Sequence, residues 1–407
     1  MERAAAVWPS RVAVESRDGA LTYAELRTRA SSFSAAPGDR VAIALPFGLD
    51  FAVAVHACLR CGAVAMPIDM RLAEHERTAL AREAGIVIDA PLRPPAGVTP
   101  GSASTPAAHV PDPSDPALVI HTSGTTGSPR PVTLSYGNVL ANALGCFAAL
   151  GHSRSERWLC PLPLSHVGGL MVLLRSVIAG TTAVLDAWRD DITIASLVPT
   201  QLARLLEGGT PPPASLRVVM LGGAPADPTL LGRARDAGWP VAPSYGLTQA
   251  CSAVTVAEPG DTETSGAPLP GLRVSIADDG EILVSGPSVA GGGVLRTGDL
   301  GRLSGGRLVV VGRKSDTIVT GGENVAPTEV ESVLLAHPSV VEAGVFGRPD
   351  PEWGEAVTAF VVVRGPVDDL REFCRARLPG FKVPKSISVV DALPRNAAGK
   401  LLRRELA

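Results

Sequence analysis

Short apolar runs alternate with amphipathic stretches along most of the chain. Such runs lie within RVAIALP, PALVIHT, TTAVLDA, SLRVVMLGG and WPVAPSYG. This pattern is typical of α/β layering around a largely parallel sheet. A stretch rich in Pro, Ala, Ser and Gly, Pro91 to Pro116, predicts a surface excursion before a buried strand at Ala117–His121. Three consecutive prolines within Gly208–Ala214 likewise predict a loop before a strand at Leu216–Leu221.

The pattern changes after Leu269. The segments LRVSIADDGEILVSG and GRLSGGRLVVVGR predict short strands joined by turns, that is, a small β-subdomain. From Ser315 onward the pattern predicts a compact unit of helices and strands. Its elements are helix Pro327–Ala336, strand Val340–Gly347, strand Ala356–Arg364, helix Val367–Arg377 and strand Ser386–Val390. We therefore expect a boundary at Arg313–Asp316 that separates residues 1–313 from residues 314–407.

Composition narrows the class of protein. The chain has 407 residues, 45% of them hydrophobic and 19% charged, which indicates a globular protein with more than one domain. A net charge of −3 gives no reason to expect a nucleic-acid partner. No apolar run approaches the roughly 18–20 residues of a membrane span, and the N-terminus lacks the apolar stretch of a secretory signal. We expect a cytoplasmic protein that is not integral to the membrane, and a homo-oligomer remains possible.

The spacing of two cysteines and the distribution of the lysines are both informative. Cys58 and Cys61 form a CxxC, but no second pair stands at zinc-ligand spacing, and the surrounding FAVAVHACLRCGAVAMPID favours an apolar helix leading into a strand. Lysine is scarce: the four lysines, Lys314, Lys382, Lys385 and Lys400, all lie in the last quarter of the chain, and the other basic residues are arginines. A lysine in this chain is therefore an informative choice.

A loop rich in Gly, Ser and Thr follows the predicted strand Ala117–His121. Its sequence, HTSGTTGSPR, combines hydroxyl donors with glycines that let the backbone approach an anion. It is not a Walker loop, because the GxxxxGK[ST] spacing is absent. Alone it is equally consistent with a surface turn. The candidate phosphate-binding residues are Thr122, Ser123, Gly124, Thr125, Thr126 and Gly127.

The loop resembles the TSGTTGxPKGV signature of the superfamily of acyl-CoA synthetases, adenylation domains and luciferases. The resemblance implies a large adenylate-forming N-terminal domain, a small mobile α+β C-terminal domain, and the use of ATP, Mg²⁺ and, for the CoA ligases, coenzyme A. Two positions depart from the signature. Arg130 replaces the usual lysine and keeps the positive charge, whereas Pro131 replaces a glycine and removes a backbone donor.

Further segments match the same superfamily in chain order. Gly222, Gly223 and Ala224 end a predicted strand, as expected of a backbone wall against a purine. The segment SYGLTQ resembles the YGxTE motif, which implies that Tyr245 stacks on adenine and that Thr248 binds the α-phosphate. The neighbouring candidates in this motif are Ser244 and Gly246.

The segment RTGD resembles the TGD motif. A carboxylate such as that of Asp299 can accept hydrogen bonds from both ribose hydroxyls. The segment GRKSD resembles the hinge, in which Arg313 would reach the ribose and Ser315 would be the pivot.

Gln249 stands where the superfamily has a glutamate that helps to hold Mg²⁺. A neutral amide oxygen can ligate magnesium but contributes no charge, so we expect weaker or water-mediated metal binding. The candidate metal ligands are Gln249 and Thr126. The same departure leaves open a degenerate nucleotide-binding paralogue.

The C-terminal segments complete the resemblance. PRNAAGK matches PRxxxGK, which implies that Lys400 compensates charge as a carboxylate attacks ATP. Gly321 and Gly322 belong to the loop that borders the pantetheine tunnel in this superfamily after the C-terminal domain rotates.

The acid pocket is expected between PLPLSH and the Gly222 wall, with His166 as a candidate for contact with the acid. LPLSHVGGLMVLLRSVIAGTTAVL and SYGLTQACSAVTV resemble the o-succinylbenzoate–CoA ligases of menaquinone biosynthesis. That substrate has a second carboxylate, for which Arg175 is a candidate partner or else a structural or surface arginine. The alternatives are another aryl- or acyl-CoA ligase and an adenylation enzyme that loads a carrier protein.

Overall fold

A computed structural model describes residues 1–94, 108–122, 130–186, 188–395 and 401–406 of the chain. The helices of this part are α1 (Glu2–Val7), α2 (Tyr23–Ala30), α3 (Leu49–Cys61), α4 (Glu74–Ala81), α5 (Tyr136–Leu150), α6 (Val167–Ala179), α7 (Pro199–Glu207), α8 (Pro228–Asp236), α9 (Pro327–Leu335) and α10 (Leu370–Arg375).

The first strands are β1 (Val12–Ser16), β2 (Gly19–Thr22), β3 (Arg40–Ile43), β4 (Val64–Pro67), β5 (Ile86–Ile88), β6 (Pro116–Thr122), β7 (Arg130–Ser135), β8 (Arg157–Leu159), β9 (Thr182–Val184), β10 (Ile194–Leu197), β11 (Val218–Leu221), β12 (Val241–Leu247) and β13 (Ser252–Val256). The later strands are β14 (Ala267–Pro268), β15 (Arg273–Ile276), β16 (Glu281–Ser285), β17 (Val294–Ser304), β18 (Arg307–Arg313), β19 (Ile318–Thr320), β20 (Glu323–Val325), β21 (Val340–Asp350), β22 (Gly354–Val363) and β23 (Ser386–Val389).

Two sheets form the larger N-terminal part. One has the strand order β14-β13-β12-β11-β10-β8-β9-β1-β2 and is parallel from β12 to β1, with antiparallel pairs at both ends. The other has the order β5-β3-β4-β6-β7 and is parallel except for the edge strand β7. Every residue of β4, β10 and β11 is buried, and all of them except Ser196 are apolar.

Strands β15 to β18 form a separate antiparallel sheet, the predicted β-subdomain. The C-terminal sheet has the order β20-β19-β22-β21, with β23 parallel to β22, and α9 and α10 help to bury its apolar face. The predicted α/β class, with a β-subdomain and a C-terminal domain, is therefore confirmed. None of the helices in the described ranges is both long and apolar enough to cross a bilayer.

Local sequence signals account for several element ends. Thr22 caps α2 reciprocally with Glu25, and Ser135 accepts a hydrogen bond from the Asn138 amide at the start of α5. Gly62 ends α3 in the left-handed conformation (φ 83°), so the CxxC lies at the end of an apolar helix that leads into β4, as predicted.

Some predicted bounds were wrong. The helix expected at Val367–Arg377 covers only Leu370–Arg375, because Pro366 and two aspartates precede it and Pro379 follows closely. The strand expected at Val340–Gly347 continues to Asp350 and pairs with Gly354, the first residue of β22. A tight connection between two long antiparallel strands therefore replaces the expected loop.

Candidate functional site

The predicted backbone wall follows the buried strand β11. Ser244, on the neighbouring strand β12, donates a hydrogen bond from its hydroxyl to the Leu221 carbonyl at 3.0 Å. A Cβ on Gly222 would lie 2.7 Å from the Ser244 Oγ, so a larger residue would displace this hydroxyl from its bond to Leu221. Gly223 is exposed at φ 81°, and Ala224 is half-buried. The strand end therefore presents bare backbone to a ligand.

The central contact of the site joins three of the predicted residues. The Tyr245 hydroxyl donates to Asp299 Oδ2 at 2.8 Å, and Arg313 Nε donates to Asp299 Oδ1 at 2.8 Å. Burial alone would lower the pKa of Arg313, but the hydrogen bond and attraction to Asp299 outweigh it and raise that pKa. Burial, followed by repulsion from Asp299, raises the pKa of Tyr245, so its hydroxyl stays a donor. Each carboxylate oxygen still has a free lone pair for a ligand hydroxyl.

The YGxTE-like motif lies on a hairpin with unusual backbone geometry. Thr248 and Gln249 form a 3₁₀ turn after β12, and Cys251 and Ser252 follow at φ 59° and 94°. Two successive non-glycine residues at positive φ are sparse in proteins and cluster at functional sites. Gly246 is exposed and pairs with Ala253, and a Cβ on it would lie 2.0 Å from the Ser252 carbonyl oxygen.

The phosphate loop begins and ends at paired residues. Thr122 pairs with Arg130 across β6 and β7, and the Thr122 hydroxyl donates to the Arg130 carbonyl at 3.2 Å. Pro131 is tolerated because β7 is an edge strand. Five predicted phosphate-loop residues lie outside the described residues, namely Ser123, Gly124, Thr125, Thr126 and Gly127. Lys400 lies outside them as well.

His166 lies at the N-cap of α6 beside two residues that sequence reasoning missed. Asp69 and Arg71 follow β4, and Arg71 makes a bidentate ion pair with Asp69 through Nε at 2.9 Å and Nη2 at 2.6 Å. His166 Nε2 lies 3.3 Å from Arg71 Nη2 and 3.5 Å from Asp69 Oδ2. No motif signals this cluster, because His166 lies about a hundred positions from Asp69 and Arg71 in the sequence.

The electrostatics of this cluster favour a neutral imidazole. Burial lowers the pKa of His166, attraction to Asp69 opposes that change, and Arg71 adds to the lowering. Burial would raise the pKa of Asp69, but its hydrogen bonds with Arg71 and that residue's charge lower it to about 2. A guanidinium can only donate, so a hydrogen bond from Arg71 requires an unprotonated Nε2.

Arg175 is deeply buried on α6, with 1% of its surface exposed. Its Nη2 donates to Asn142 Oδ1 at 2.6 Å, and its Cζ lies 5.5 Å from the centroid of the Trp158 ring. Its Nε is buried without a hydrogen-bond partner, and no carboxylate of the described ranges pairs with it. Burial raises the pKa of Cys160 to about 12 and that of Cys251 to about 12, so these thiols supply no thiolate.

The predicted hinge forms a 3₁₀ turn, Lys314–Asp316, between β18 and β19. Lys314 Nζ donates to Asp279 Oδ2 at 2.7 Å and lies 3.5 Å from Glu281 Oε2. The Ser315 hydroxyl donates to Asp316, which also pairs with Arg403. Gly321 and Gly322 turn at φ 60° and 85° beside Trp353, whose carbonyl accepts from the Gly321 amide at 2.8 Å.

The described side chains that could bind a divalent cation beside the YGxTE-like motif are uncharged. In the described ranges no group of three or more His, Cys, Asp and Glu side chains could hold a metal ion. Gln249 can supply an amide oxygen, and Thr248 a hydroxyl. Magnesium in nucleotide sites is held largely by phosphate oxygens and waters, so this donor set fits a cation that arrives with a polyphosphate.

Family models match nearly the whole chain. The model for AMP-binding enzymes matches residues 1–88 and 86–292, and the model for their C-terminal domain matches residues 329–400. The chain belongs to the AMP-binding enzyme family.

Individual relatives agree with this. The 2-succinylbenzoate–CoA ligase of Bacillus subtilis (strain 168) is 35% identical over 467 aligned positions, covering 98% of this chain and 95% of the relative. The aligned length exceeds the 407 residues of this chain, so the relative has residues that are absent here.

Two solved structures of that enzyme type from Bacillus subtilis differ in their similarity to this one. The o-succinylbenzoate CoA synthetase in complex with the acyl-adenylate OSB-AMP has a TM-score of 0.88 at 34% identity, covering 100% of this chain and 97% of its own. A double mutant bound with the product analogue OSB-NCoA has a TM-score of 0.70 at the same identity and coverage. The structure described here is thus more similar to the adenylate complex than to the complex with the product analogue.

Proposed function

We propose that this protein is an AMP-forming acid–CoA ligase that activates o-succinylbenzoate with ATP and transfers the acyl group to coenzyme A. The family and the full-length similarity to 2-succinylbenzoate–CoA ligases support the reaction class. The buried, carboxylate-free guanidinium of Arg175 is the observation that carries the choice of acid.

An unpaired buried charge is costly, because neither water nor a counter-ion compensates it. Asn142 and the Trp158 ring solvate the Arg175 guanidinium only in part. A substrate with a second carboxylate would supply the missing negative charge, whereas a monocarboxylate would leave it uncompensated. A dicarboxylic acid would therefore compensate the Arg175 charge better than a simple aryl or fatty acid.

Nucleotide binding would use the strand ends already described. The Gly222–Ala224 backbone and the Tyr245 ring would enclose adenine, and Asp299, held by Tyr245 and Arg313, would accept the ribose hydroxyls. Thr248 would donate to the α-phosphate, and the loop from Thr122 to Gly127 would bind the pyrophosphate end. Magnesium on the ATP phosphates would offset charge there, with Thr126 and Gln249 as its protein ligands.

The chemical step brings a carboxylate to an anionic phosphate. Catalysis is therefore mainly positioning and charge compensation. Lys400 and Arg130 would supply positive charge as pyrophosphate leaves, and His166 would contact the acid. The C-terminal domain, beginning near residue 314, would then rotate about Ser315 and bring the loop of Gly321 and Gly322 to the path of the CoA thiol.

The decisive experiment incubates the purified protein with ATP, Mg²⁺, CoA and o-succinylbenzoate. AMP release that depends on the acid, together with the mass of the acyl-CoA product, is the expected result. Benzoate and straight-chain acids serve as competing substrates, and a holo-carrier protein serves as the competing acceptor. AMP release at the same rate without the acid would exclude the ligase activity, and equal rates with benzoate would exclude the assigned acid.

A further inference from the structure

We infer that Asn142 is a positioning residue for acid selectivity, because its amide fixes the Arg175 guanidinium where the second carboxylate of the acid would bind. The inference rests on the proposed function and extends it to a residue on a different helix. Asn142 lies on α5, whereas Arg175 lies on α6. None of the motifs recognised in the sequence includes Asn142.

The amide of Asn142 is fully used and has one possible orientation. Its Oδ1 accepts from Arg175 Nη2 at 2.6 Å, and its Nδ2 donates to the carbonyls of Ala253 at 2.9 Å and Ala250 at 3.4 Å. If the amide were flipped, its NH₂ group would face the Arg175 donor and its oxygen would face the two carbonyl acceptors. The side chain is 1% exposed, so water cannot relieve such a mismatch.

The two carbonyls connect Arg175 to the nucleotide hairpin. Ala250 ends the 3₁₀ turn that carries Thr248 and Gln249, and Ala253 pairs with Gly246 of the YGxTE-like motif. Between the two alanines lie Cys251 and Ser252, both at positive φ. Asn142 therefore sets the separation between the charge that would hold the second carboxylate and the hairpin on which the first carboxylate would react.

The neutrality of Asn142 is the feature that points to a ligand. An aspartate at this position would form a buried ion pair with Arg175 and consume its charge. An amide holds the guanidinium by a hydrogen bond of 2.6 Å and leaves its charge available. This fits a guanidinium that is kept in place for an incoming anion rather than for the stability of the core.

Asn138 provides a matched control on the same helix. It is 9% exposed, and its Nδ2 donates to the carbonyls of Pro287 at 2.8 Å and Val289 at 3.2 Å. It therefore joins α5 to a neighbouring segment by the same kind of bond but does not contact Arg175. Loss of its amide would test the general effect of removing a buried asparagine from α5.

The experiment compares kcat/KM for o-succinylbenzoate with kcat/KM for its monoester at the carboxylate that is not adenylated. The ratio of the two is the selectivity for the second charge. In Asn142→Asp and Asn142→Ala we expect the ratio to fall about tenfold or more, while KM for ATP changes by less than about twofold. In Asn138→Ala the ratio stays at the wild-type value. Thermal melting checks that each variant is folded.

Each other outcome overturns the inference in a distinguishable way. A wild-type ratio in the folded Asn142→Asp variant would show that the amide is structural. An equal fall in Asn138→Ala would show a general effect of α5, and a raised KM for ATP at a constant ratio would place the effect on the nucleotide. No selectivity in the wild-type protein would refute the proposed acid, and the inference with it.

Discussion

The hydroxyl of Tyr245 donates a 2.8 Å hydrogen bond to Asp299 Oδ2, the carboxylate that the TGD-like motif assigns to ribose. Arg313 holds the other oxygen of the same carboxylate at 2.8 Å. The predicted adenine and ribose contacts are therefore parts of one network that spans β12, β17 and β18. Loss of the tyrosine hydroxyl should therefore weaken the contact with the ribose as well as the contact with the base.

Tyr245→Phe removes this donor and keeps the ring. We expect KM for ATP to rise severalfold, because a hydrogen bond to a charged group contributes about 1.5–3 kcal/mol and Arg313 retains part of the carboxylate orientation. Tyr136→Phe, which loses a hydroxyl bonded to the Leu59 carbonyl at 3.0 Å, is the control and should leave KM for ATP unchanged. An unchanged KM for ATP in Tyr245→Phe would mean that Asp299 does not bind the nucleotide.

Arg175→Met should lower activity with little loss of stability. Removal of an unpaired buried charge offsets the cost of leaving Asn142 Oδ1 without a donor, so the thermal midpoint should stay near that of the wild type, while kcat/KM for o-succinylbenzoate falls about a hundredfold. The control Arg217→Met breaks a 2.7 Å ion pair with the buried Glu156. That variant should lose about 1–3 kcal/mol of stability, because Glu156 is buried but solvent reaches the Arg217 side of the pair, and it should keep the wild-type acid selectivity. A marked drop in the midpoint of Arg175→Met would assign Arg175 to the core.

The acid limb of the pH profile should respond oppositely to the two neighbours of His166. Protonation of His166 is favoured by Asp69 and opposed by Arg71, so Asp69→Asn should lower its pKa further and Arg71→Gln should raise it. If the neutral imidazole is the active form, the acid limb of kcat/KM for the acid moves to lower pH in the first variant and to higher pH in the second. Shifts in the same direction would exclude His166 as the titrating group.

Lys400→Ala should separate the two half-reactions. Loss of a preorganised cation costs on the order of 3–4 kcal/mol in the adenylation barrier, whereas conversion of a supplied acyl-adenylate to the thioester should persist. Ser315→Pro should do the reverse. Lys385→Ala, which removes a lysine 4.0 Å from the Trp353 ring centroid, is the control and should affect neither step. Equal losses of both steps in Lys400→Ala would refute the proposal that Lys400 acts in adenylation and not in thioester formation.

Gln249→Glu introduces the negative charge that the YGxTE motif carries at the corresponding position. We expect the Mg²⁺ concentration at half-maximal rate to fall, because a carboxylate attracts the cation more strongly than an amide. Titration of Mg²⁺ at saturating ATP measures this. Identical Mg²⁺ dependence in both proteins would mean that the residue at this position does not contribute to metal binding.

The sequence predicted the class of fold and the order of the motifs because both are local signals. Apolar runs located β3, β6, β11 and β12, and the resemblance of the segments at or near their ends to superfamily motifs supplied the candidate nucleotide residues. The Asp69–Arg71–His166 cluster and the Asn142–Arg175 bond could not be predicted in this way. They join residues that are distant in the chain, and a buried asparagine on a helix has no periodic signal of its own.

Helix ends were predicted less well than helices, and for a physical reason. Pro366 and the aspartates that follow it compete with the first turn of α10, and a pattern of apolar residues does not weigh that competition. The pattern also could not distinguish between a surface and a buried environment for Arg175. That distinction depends on the packing of α6 against α5 and β13, which only tertiary structure supplies.

Two of the charged contacts between the hinge side and the N-terminal part include solvent-exposed side chains. Lys314 is half exposed where it bridges Asp279 and Glu281, and Arg364 pairs with Glu207 at the surface. Both side chains of the Arg364–Glu207 pair are exposed, so water and ions can replace each partner when the two separate, and breaking this pair costs little free energy. The proposed rotation about Ser315 would therefore meet little resistance from this pair, and added salt should weaken the pair further.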